Sequence, residues 1–437
     1  MVDTGSGAAL VANGMIYNYR DLRRELLEQA PDAGFRTASD SEVILQGYRA
    51  LGSEVVRRLD GMFAFVIADG DAVIAARDPI GIKPLYWTRE AERVIFASEL
   101  KGLDGLAEAV AEFPPGHVYH SGHGLVRYYE PPAGLSARGS TDDFAAQLRE
   151  TLEAAVVKRL RSDVPLGVFL SGGLDSSIIA ALACRHLDTV DTFAVGIEGT
   201  DDLAAARRVA AHLGTRHHEL VLSPDGVLAA LPDVVHSLES FDPDLVRSAV
   251  PCWFVARLAA EHVKVVLTGE GADELFGGYR YYLGCEDGAA LQEELRRSLD
   301  GMHNVNLQRV DRMTMAHGLE ARVPYLDLEM IELAFAIPAE LKIRRSGEAP
   351  PIEKWVLRQA FADLLPPDVA WRPKAQFDEG SGIAALLEAA AAGRHPDIGP
   401  RGPVSEEAWY RDLLVAGFRD PEMVLGQVAR WRGAGAA

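Results

Sequence analysis

Cysteine is scarce: Cys184, Cys252 and Cys285 are the only three in 437 residues, too few and too widely spaced for a disulfide framework. No Cys-x-x-Cys pair is present, which argues against a structural zinc site. Positive charge is also short, with 44 Lys and Arg against 64 Asp and Glu and a formal net charge of −20. A broad nucleic-acid surface needs clustered cations to neutralise phosphates, so none is expected. Long apolar runs are missing too: nothing reaches the roughly 18 residues of a membrane span, and the N-terminus lacks the basic and apolar regions of a secretory signal. Together these absences predict a cytoplasmic protein of a reducing compartment, with neither nucleic acid nor membrane as partner. What is there is an ordinary globular composition, 48% hydrophobic and 25% charged, in a chain long enough for two or three domains.

Up to about residue 135 the pattern is one of short strands, at Ala8–Ala12, Gly61–Ala68, Ala72–Arg77, Leu85–Trp87, Arg93–Ala97 and His117–Tyr119. Turn residues such as Asp69-Gly70-Asp71 separate them, and helices are predicted at Asp21–Gln29 and Ser41–Leu51. Strands in blocks with a few helices imply an α+β or layered sandwich domain. The chain enters its first strand almost at once, so an upstream segment is expected to be missing. Pro131-Pro132-Ala133-Gly134 reads as a linker. Beyond it, helices (Phe144–Arg161, Ser176–His186, Leu203–Leu213) alternate with short apolar runs (Pro165–Leu170, Thr192–Val195, Val263–Leu267). That alternation predicts an α/β domain with a parallel sheet covered on both faces. From about residue 288 the chain reads as helical, its Ala384–Ala392 run reflecting helix propensity. The expected domains are 1–135 and 136–437.

Two strings carry chemistry. The first, Ser171-Gly172-Gly173-Leu174-Asp175-Ser176-Ser177, sits between an apolar run and a helix. Such a turn aims unpaired N–H groups at one point, and its glycines let an anion approach the main chain. No Gly-Lys-Ser/Thr ending follows, so this is not a Walker A loop. Asp175 inside an anion cradle makes sense as a ligand to magnesium bridging phosphates. The second string, Gly269-Glu270-Gly271-Ala272-Asp273-Glu274, follows Val265-Val266-Leu267-Thr268. Three carboxylates within five residues repel one another unless they share a cation or a proton. A metal or acid–base role is therefore expected for Glu270 and Asp273, and a solvated helix start for Glu274.

These strings resemble the PP-loop ATP pyrophosphatases, and within them the asparagine synthetase family. The resemblance extends to Arg309-Val310-Asp311-Arg312 through Gly318-Leu319-Glu320-Ala321-Arg322-Val323-Pro324-Tyr325-Leu326-Asp327, and to Trp371-Arg372-Pro373-Lys374-Ala375-Gln376-Phe377. Read without it, the first of these blocks is a helix ending at Gly318, with Asp311 and Arg312 pairing among themselves. The resemblance implies ATP and Mg2+ as cofactors, with Asp175 and Asp273 on the metal and Glu270 deprotonating the attacking amine. It also implies Lys374 supporting the transition state and Arg247 clamping a substrate carboxylate. The nucleotide set expected is Ser171, Gly172, Gly173, Leu174, Asp175 and Ser176, with Val195, Thr268 and Gly269. The segment Pro351-Ile352-Glu353-Lys354-Trp355-Val356-Leu357-Arg358 is expected to be a packing helix.

Toward the N-terminus, Asn13-Gly14-Met15, Ser39-Asp40-Ser41, Leu59-Asp60-Gly61-Met62 and Arg77-Asp78-Pro79-Ile80-Gly81 read individually as hairpin and turn strings. Taken in order they resemble the glutaminase domain of class II amidotransferases, which implies an incomplete αββα sandwich of Ntn-hydrolase type before the PP-loop domain. A glutamine-pocket remnant of Asn13, Gly14 and Asp40 follows. That family's Cys-Gly-Ile start is not found, and Met15 stands where it has Glu, so hydrolysis of glutamine by this chain is not expected. Asp244-Leu245 likewise replaces a threonine pair just before Arg247. An anion there disfavours a dicarboxylate substrate. Three functions are compatible with these features. The first is an AMP-forming ligase joining aspartate or a related carboxylate to ammonia or an amine. The others are a secondary-metabolite amide or lactam synthetase and a non-catalytic homologue. A homodimer is a further expectation, because an incomplete sandwich leaves strand edges open.

Overall fold

A computed structural model of the chain describes residues 1–3, 7–29, 34–90, 93–107, 109–132, 138–346, 349–372, 381–394 and 403–430. Packing divides it into two units: Met1–Pro131 with Phe418–Gln427, and Pro132–Gly417 with the residues after 427.

In the first unit, strands β1 (Ala9–Ile16), β2 (Gly61–Asp69) and β3 (Ala72–Arg77) pair antiparallel. β4 (Tyr86–Glu90), β5 (Arg93–Ala97) and β6 (Ala111–Glu112) form a three-stranded sheet in the order β5-β4-β6. β7 (His117–His120) and β8 (Gly124–Arg127) extend the first sheet to β1-β2-β3-β7-β8. Alternation along β2 builds two cores. Phe63, Phe65 and Ile67 share one with Leu22 and Leu26 of α1 (Tyr19–Gln29) and Val43 and Ile44 of α2 (Glu42–Leu51). Ala64 belongs to the other, with Leu85, Phe113 and Tyr119. A period of two thus places helices on one face and the second sheet on the other.

The Asn13-Gly14-Met15 string is not a turn. It lies inside β1, where Gly14 pairs with Phe63 and Met15 with Met62. Gly14 has φ +139°, and a Cβ on it would come within 2.0 Å of the Met62 carbonyl oxygen. Close strand approach, not chain reversal, is what selects glycine there. Asp78 does organise a turn: its buried carboxylate accepts N–H groups from Phe63, Ile80, Gly81, Ile82 and Lys83.

The second unit opens with α3 (Thr141–Arg159), started by a capping box between Ser140 and Asp143. Its sheet contains β9 (Leu166–Phe169), β10 (Asp191–Gly196), β11 (Arg216–Val221), β12 (Val265–Leu267) and β13 (Glu320–Arg322). Every pairing is parallel and the order is β11-β10-β9-β12-β13. The polar edge strand β11, Arg-His-His-Glu-Leu-Val, has no apolar run to announce it. The connections carry α4 (Leu174–Cys184), α5 (Asp201–Leu213), α6 (Pro224–Leu238) and α7 (Pro243–Ala260). After β12 come α8 (Ala272–Phe276), α9 (Gly288–Asp300) and α10 (Asn306–Met315), and after β13 α11 (Leu328–Ala336), α12 (Ala339–Lys342) and α13 (Trp355–Phe361). From β9 the chain moves outward to β10 and β11, then returns to β12 on the other side of β9. The loops after β9 and β12 therefore leave adjacent parallel strands, opening the crevice where ligands bind in such sheets.

Candidate active site

The loop after β9 is held by its own serines. Ser171 N–H donates to Ser176 Oγ at 3.2 Å, Gly173 N–H to Ser171 Oγ at 3.3 Å, and Ser177 Oγ–H to the Gly173 carbonyl at 2.6 Å. Gly172 adopts φ +73°, and a Cβ there would lie 2.4 Å from Ala206 N of α5. Glycine lets the loop press against α5 and turn into α4. Gly173 caps α4 without a side-chain bond, so the first-turn N–H groups are available to an anion.

The loop after β12 meets this helix start directly. A Cβ on Gly269 would fall 2.9 Å from Asp175 Cβ and 3.0 Å from Ser176 N. One side chain ties the two loops together: Lys354 Nζ lies 2.6 Å from Asp175 Oδ2 and 2.6 Å from Asp273 Oδ1, with its side chain only 2% exposed. Lys354 precedes α13 in a left-handed conformation, φ +54°. Gly278 makes room for the pair, since a Cβ there would sit 1.9 Å from Asp273 Oδ1 and 2.2 Å from Lys354 Cε. The sequence reading of 351–358 as a packing helix missed this lysine; nothing in a solitary cation announces two partners distant in the chain.

The three clustered carboxylates are compensated in three different ways. Asp273 has Lys354. Glu270 pairs with Arg309 of α10 at 2.5 Å, beside the buried Cys252, whose thiol burial pushes up to about 12. Glu274 is not a solvated helix start: it is 1% exposed and accepts from the Tyr279 hydroxyl at 2.6 Å and the Asn306 amide at 2.7 Å. Burial, then neighbouring Asp273, raises its pKa to about 7. Arg312 finds its partner in Glu239 at 2.9 Å, both fully buried, so its charge is satisfied across elements.

Asp175, Asp273, Lys354, Glu270, Arg309 and Cys252 line one cavity of about 740 Å³ within the second unit, in the size range of small-molecule sites. Ser171, Gly173, Leu174, Asp175 and Ser176 line it, as do Val195, Thr268, Gly269, Glu270 and Asp273. Gly172 sits behind the loop against α5. Arg247 lines the cavity too, but its guanidinium is doubly bonded to Glu406, which also accepts from the Tyr410 hydroxyl at 2.9 Å. Helix Ile383–Arg394 contributes Ala384 and Glu388 to the wall, so the alanine-rich segment helps shape the cavity. Lys374 lies outside the described residues. Asn13 and Gly14 lie on β1 of the first unit, where Asp40 accepts the Ile16 N–H at 2.8 Å.

No group of three or more His, Cys, Asp or Glu forms a metal cage among the described residues. Asp175 and Asp273 nevertheless converge on one point, occupied by the Lys354 ammonium. Two carboxylates suit an ion that takes its other ligands from phosphate and water, as Mg2+ does.

The family model described as asparagine synthase matches residues 147–287 and 284–423. A glutamine-hydrolyzing asparagine synthetase of Arabidopsis thaliana, numbered 3, is 43% identical over 396 residues, covering 86% of this chain and 68% of the relative. The chain belongs to the asparagine synthetase family. Glutamine-hydrolyzing asparagine synthetase of Triphysaria versicolor is 41% identical over 441 residues, 94% of this chain and 74% of the relative. A probable one from Schizosaccharomyces pombe is 39% identical over 478 residues, 99% of this chain and 84% of the relative. A model described as a glutamine amidotransferase domain matches residues 1–105, inside the first unit. Asparagine synthetase family membership makes the chain an enzyme, an ATP-dependent carbon–nitrogen ligase acting on small molecules. No helix among the described residues is long and apolar enough to cross a membrane.

Proposed function

We propose that the second unit activates a carboxylate, aspartate or a relative of it, as an acyl-adenylate and then transfers the acyl group to ammonia. The reading rests on one observation: Asp175 and Asp273, from the first turns of the helices that follow adjacent parallel strands, meet at Lys354 in a cavity floored by the glycine-rich loop. ATP lies with its β- and γ-phosphates on the loop from Ser171 to Ser176 and the N-terminus of α4. A carboxylate oxygen of the substrate attacks the α-phosphorus, the bond to the bridging oxygen breaks, and pyrophosphate leaves. Ammonia then attacks the acyl carbon; AMP departs with the bonding pair, and Glu270, oriented by Arg309, takes the proton that nitrogen loses. Lys354 is the cation set to balance charge gathering on the departing diphosphate, and Lys374 is a second. Asp175 and Asp273 would hold Mg2+, which when bound neutralises phosphate charge. The first unit keeps Asn13, Gly14 and Asp40 as an amidotransferase-type pocket with Met15 in place of an anion. A cytoplasmic homodimer belongs to the same reading.

The test is pyrophosphate release with Mg-ATP, ammonia and a panel of carboxylates. Asp175→Ala is expected to lower the rate by about 100-fold or more. Equal rates in parent and variant would overturn the assignment of this cavity to ATP.

A further inference from the structure

Arg247 is gripped along one edge. Its Nε donates to Glu406 Oε1 at 3.0 Å and its Nη2 donates to Oε2, the two-point contact by which a planar guanidinium meets a carboxylate. Helix Pro403–Ala416 supplies that carboxylate, which is 0% exposed. One turn on, the same helix supplies Tyr410, whose buried hydroxyl donates to Oε1 at 2.9 Å. Burial, then the Glu406 carboxylate, pushes the Tyr410 hydroxyl far above its ordinary range, so it stays a donor at any working pH. Glu406 therefore cannot swing off Arg247 without leaving buried hydrogen bonds unmade.

The other edge of the guanidinium is not used. Arg247 lines the cavity, and its Nη1 makes no hydrogen bond among the described residues. It approaches Asp244 Oδ1 at 3.8 Å, beyond hydrogen-bond reach, and that side chain is 72% exposed. Arg358, on the same cavity, shows the contrast: its Nε and Nη1 donate to the Glu353 and Ala370 carbonyls and its Nη2 to the Glu353 carboxylate. Arg358 is tied up on every side, whereas Arg247 is anchored and still has donors to offer. A guanidinium fixed in that way is a preorganised receptor for a carboxylate. Its place fits the chemistry. Arg247, Ser248, Cys252 and Val255 line the cavity from α7, and Cys252 neighbours Arg309 and Glu270. Arg247 stands five residues before Cys252, about 7.5 Å along the helix axis, so α7 carries the receptor toward the Glu270–Arg309 pair.

We infer that Glu406 and Tyr410 are positioning residues for substrate recognition: they hold Arg247 by one edge so that its Nη1 edge binds a second, non-reacting carboxylate of the acceptor. The inference rests on the adenylation reading and adds to it the residues that set acceptor preference. Asp244, open to water, weakens the attraction without filling the edge.

The experiment measures kcat and KM for pyrophosphate release, at saturating Mg-ATP and ammonia, with aspartate and with 3-aminopropanoate, which is aspartate without its α-carboxylate. The parent is expected to favour aspartate by about 100-fold or more in kcat/KM. Glu406→Gln exchanges two acceptors for one acceptor and one donor, so the guanidinium loses one of its two anchors. It should raise KM for aspartate about tenfold, and Tyr410→Phe about threefold, while kcat and the KM for ATP change by less than about twofold. Turnover of 3-aminopropanoate, which lacks the group Arg247 binds, should move no more than that. Tyr410→Phe removes one oxygen from a buried ring and keeps the question open to test if Glu406→Gln does not fold. In an Arg247→Ala background neither change should alter KM further. A parent that uses acceptors with no second carboxylate as readily as aspartate overturns the inference and leaves adenylation standing. So does a KM for aspartate that is unchanged in both variants, that falls in Glu406→Gln because a competitor has gone, or that rises equally for both acceptors. Absence of pyrophosphate from the parent with every carboxylate overturns the adenylation reading itself, and this inference with it.

Discussion

Single side chains decide how this cavity tolerates its charge. Lys354 is buried between two carboxylates, and breaking such a contact leaves charges uncompensated, which costs about 3–5 kcal/mol. Lys354→Met is expected to lower stability by that order in thermal melts without metal, and Mg2+ should restore part of it by serving the same two carboxylates. A melt unchanged by the substitution would show that Lys354 is not balancing them. Glu274 makes a pH argument. Its folded pKa, about 7, lies above the ordinary glutamate value because the carboxyl is buried beside Asp273, so the folded state binds the proton more tightly. The stabilisation is fully present below the unfolded pKa and lost as pH rises through about 7. Glu274→Gln, uncharged throughout, should remove that decline and be more stable than the parent at pH 8 by on the order of 1–3 kcal/mol. Chemical denaturation at pH 5 and pH 8 measures both; identical slopes in parent and variant would refute it.

At the scale of elements, backbone conformation matters as much as side chains. Gly172→Ala combines φ +73° with a Cβ 2.4 Å from Ala206 N, so the loop must move off α5. A loss of roughly 1–3 kcal/mol or more is expected in urea denaturation. Retained stability would mean the loop is free to shift. The loops after β9 and β12 were legible in the sequence because apolar runs led into glycine-rich strings whose chemistry has few alternatives. The parallel sheet followed from the same runs. Strand β11 was not, because an edge strand half open to water needs no apolar run. Asn13-Gly14 looked like a hairpin turn because that dipeptide favours one, while its true constraint, the Met62 carbonyl on the facing strand, is invisible until pairing is known. Lys354 and Glu406 escaped for a related reason. Lys354 binds carboxylates 179 and 81 residues earlier, and Glu406 binds a cation 159 residues earlier; a lone charge carries no mark of its partner.

Across the whole molecule, the chain order and the packing order differ. Residues 418–427 belong to the first unit although the second intervenes. Asp104 accepts the N–H groups of Arg419 and Asp420 at 2.8 and 2.9 Å, and the Gln427 amide donates to the Val110 carbonyl at 2.8 Å. Asp104→Ala should therefore loosen the 418–427 segment at a cost of about 1–2 kcal/mol, speeding its proteolysis while leaving pyrophosphate formation intact. Unchanged cleavage would show that the segment is held by other contacts. The return of this segment also bears on biogenesis. Translation delivers residue 131 almost three hundred codons before residue 427, so a nascent first unit emerging from the ribosome waits, the partners of Asp104 and the Val110 carbonyl not yet made, until synthesis is nearly over.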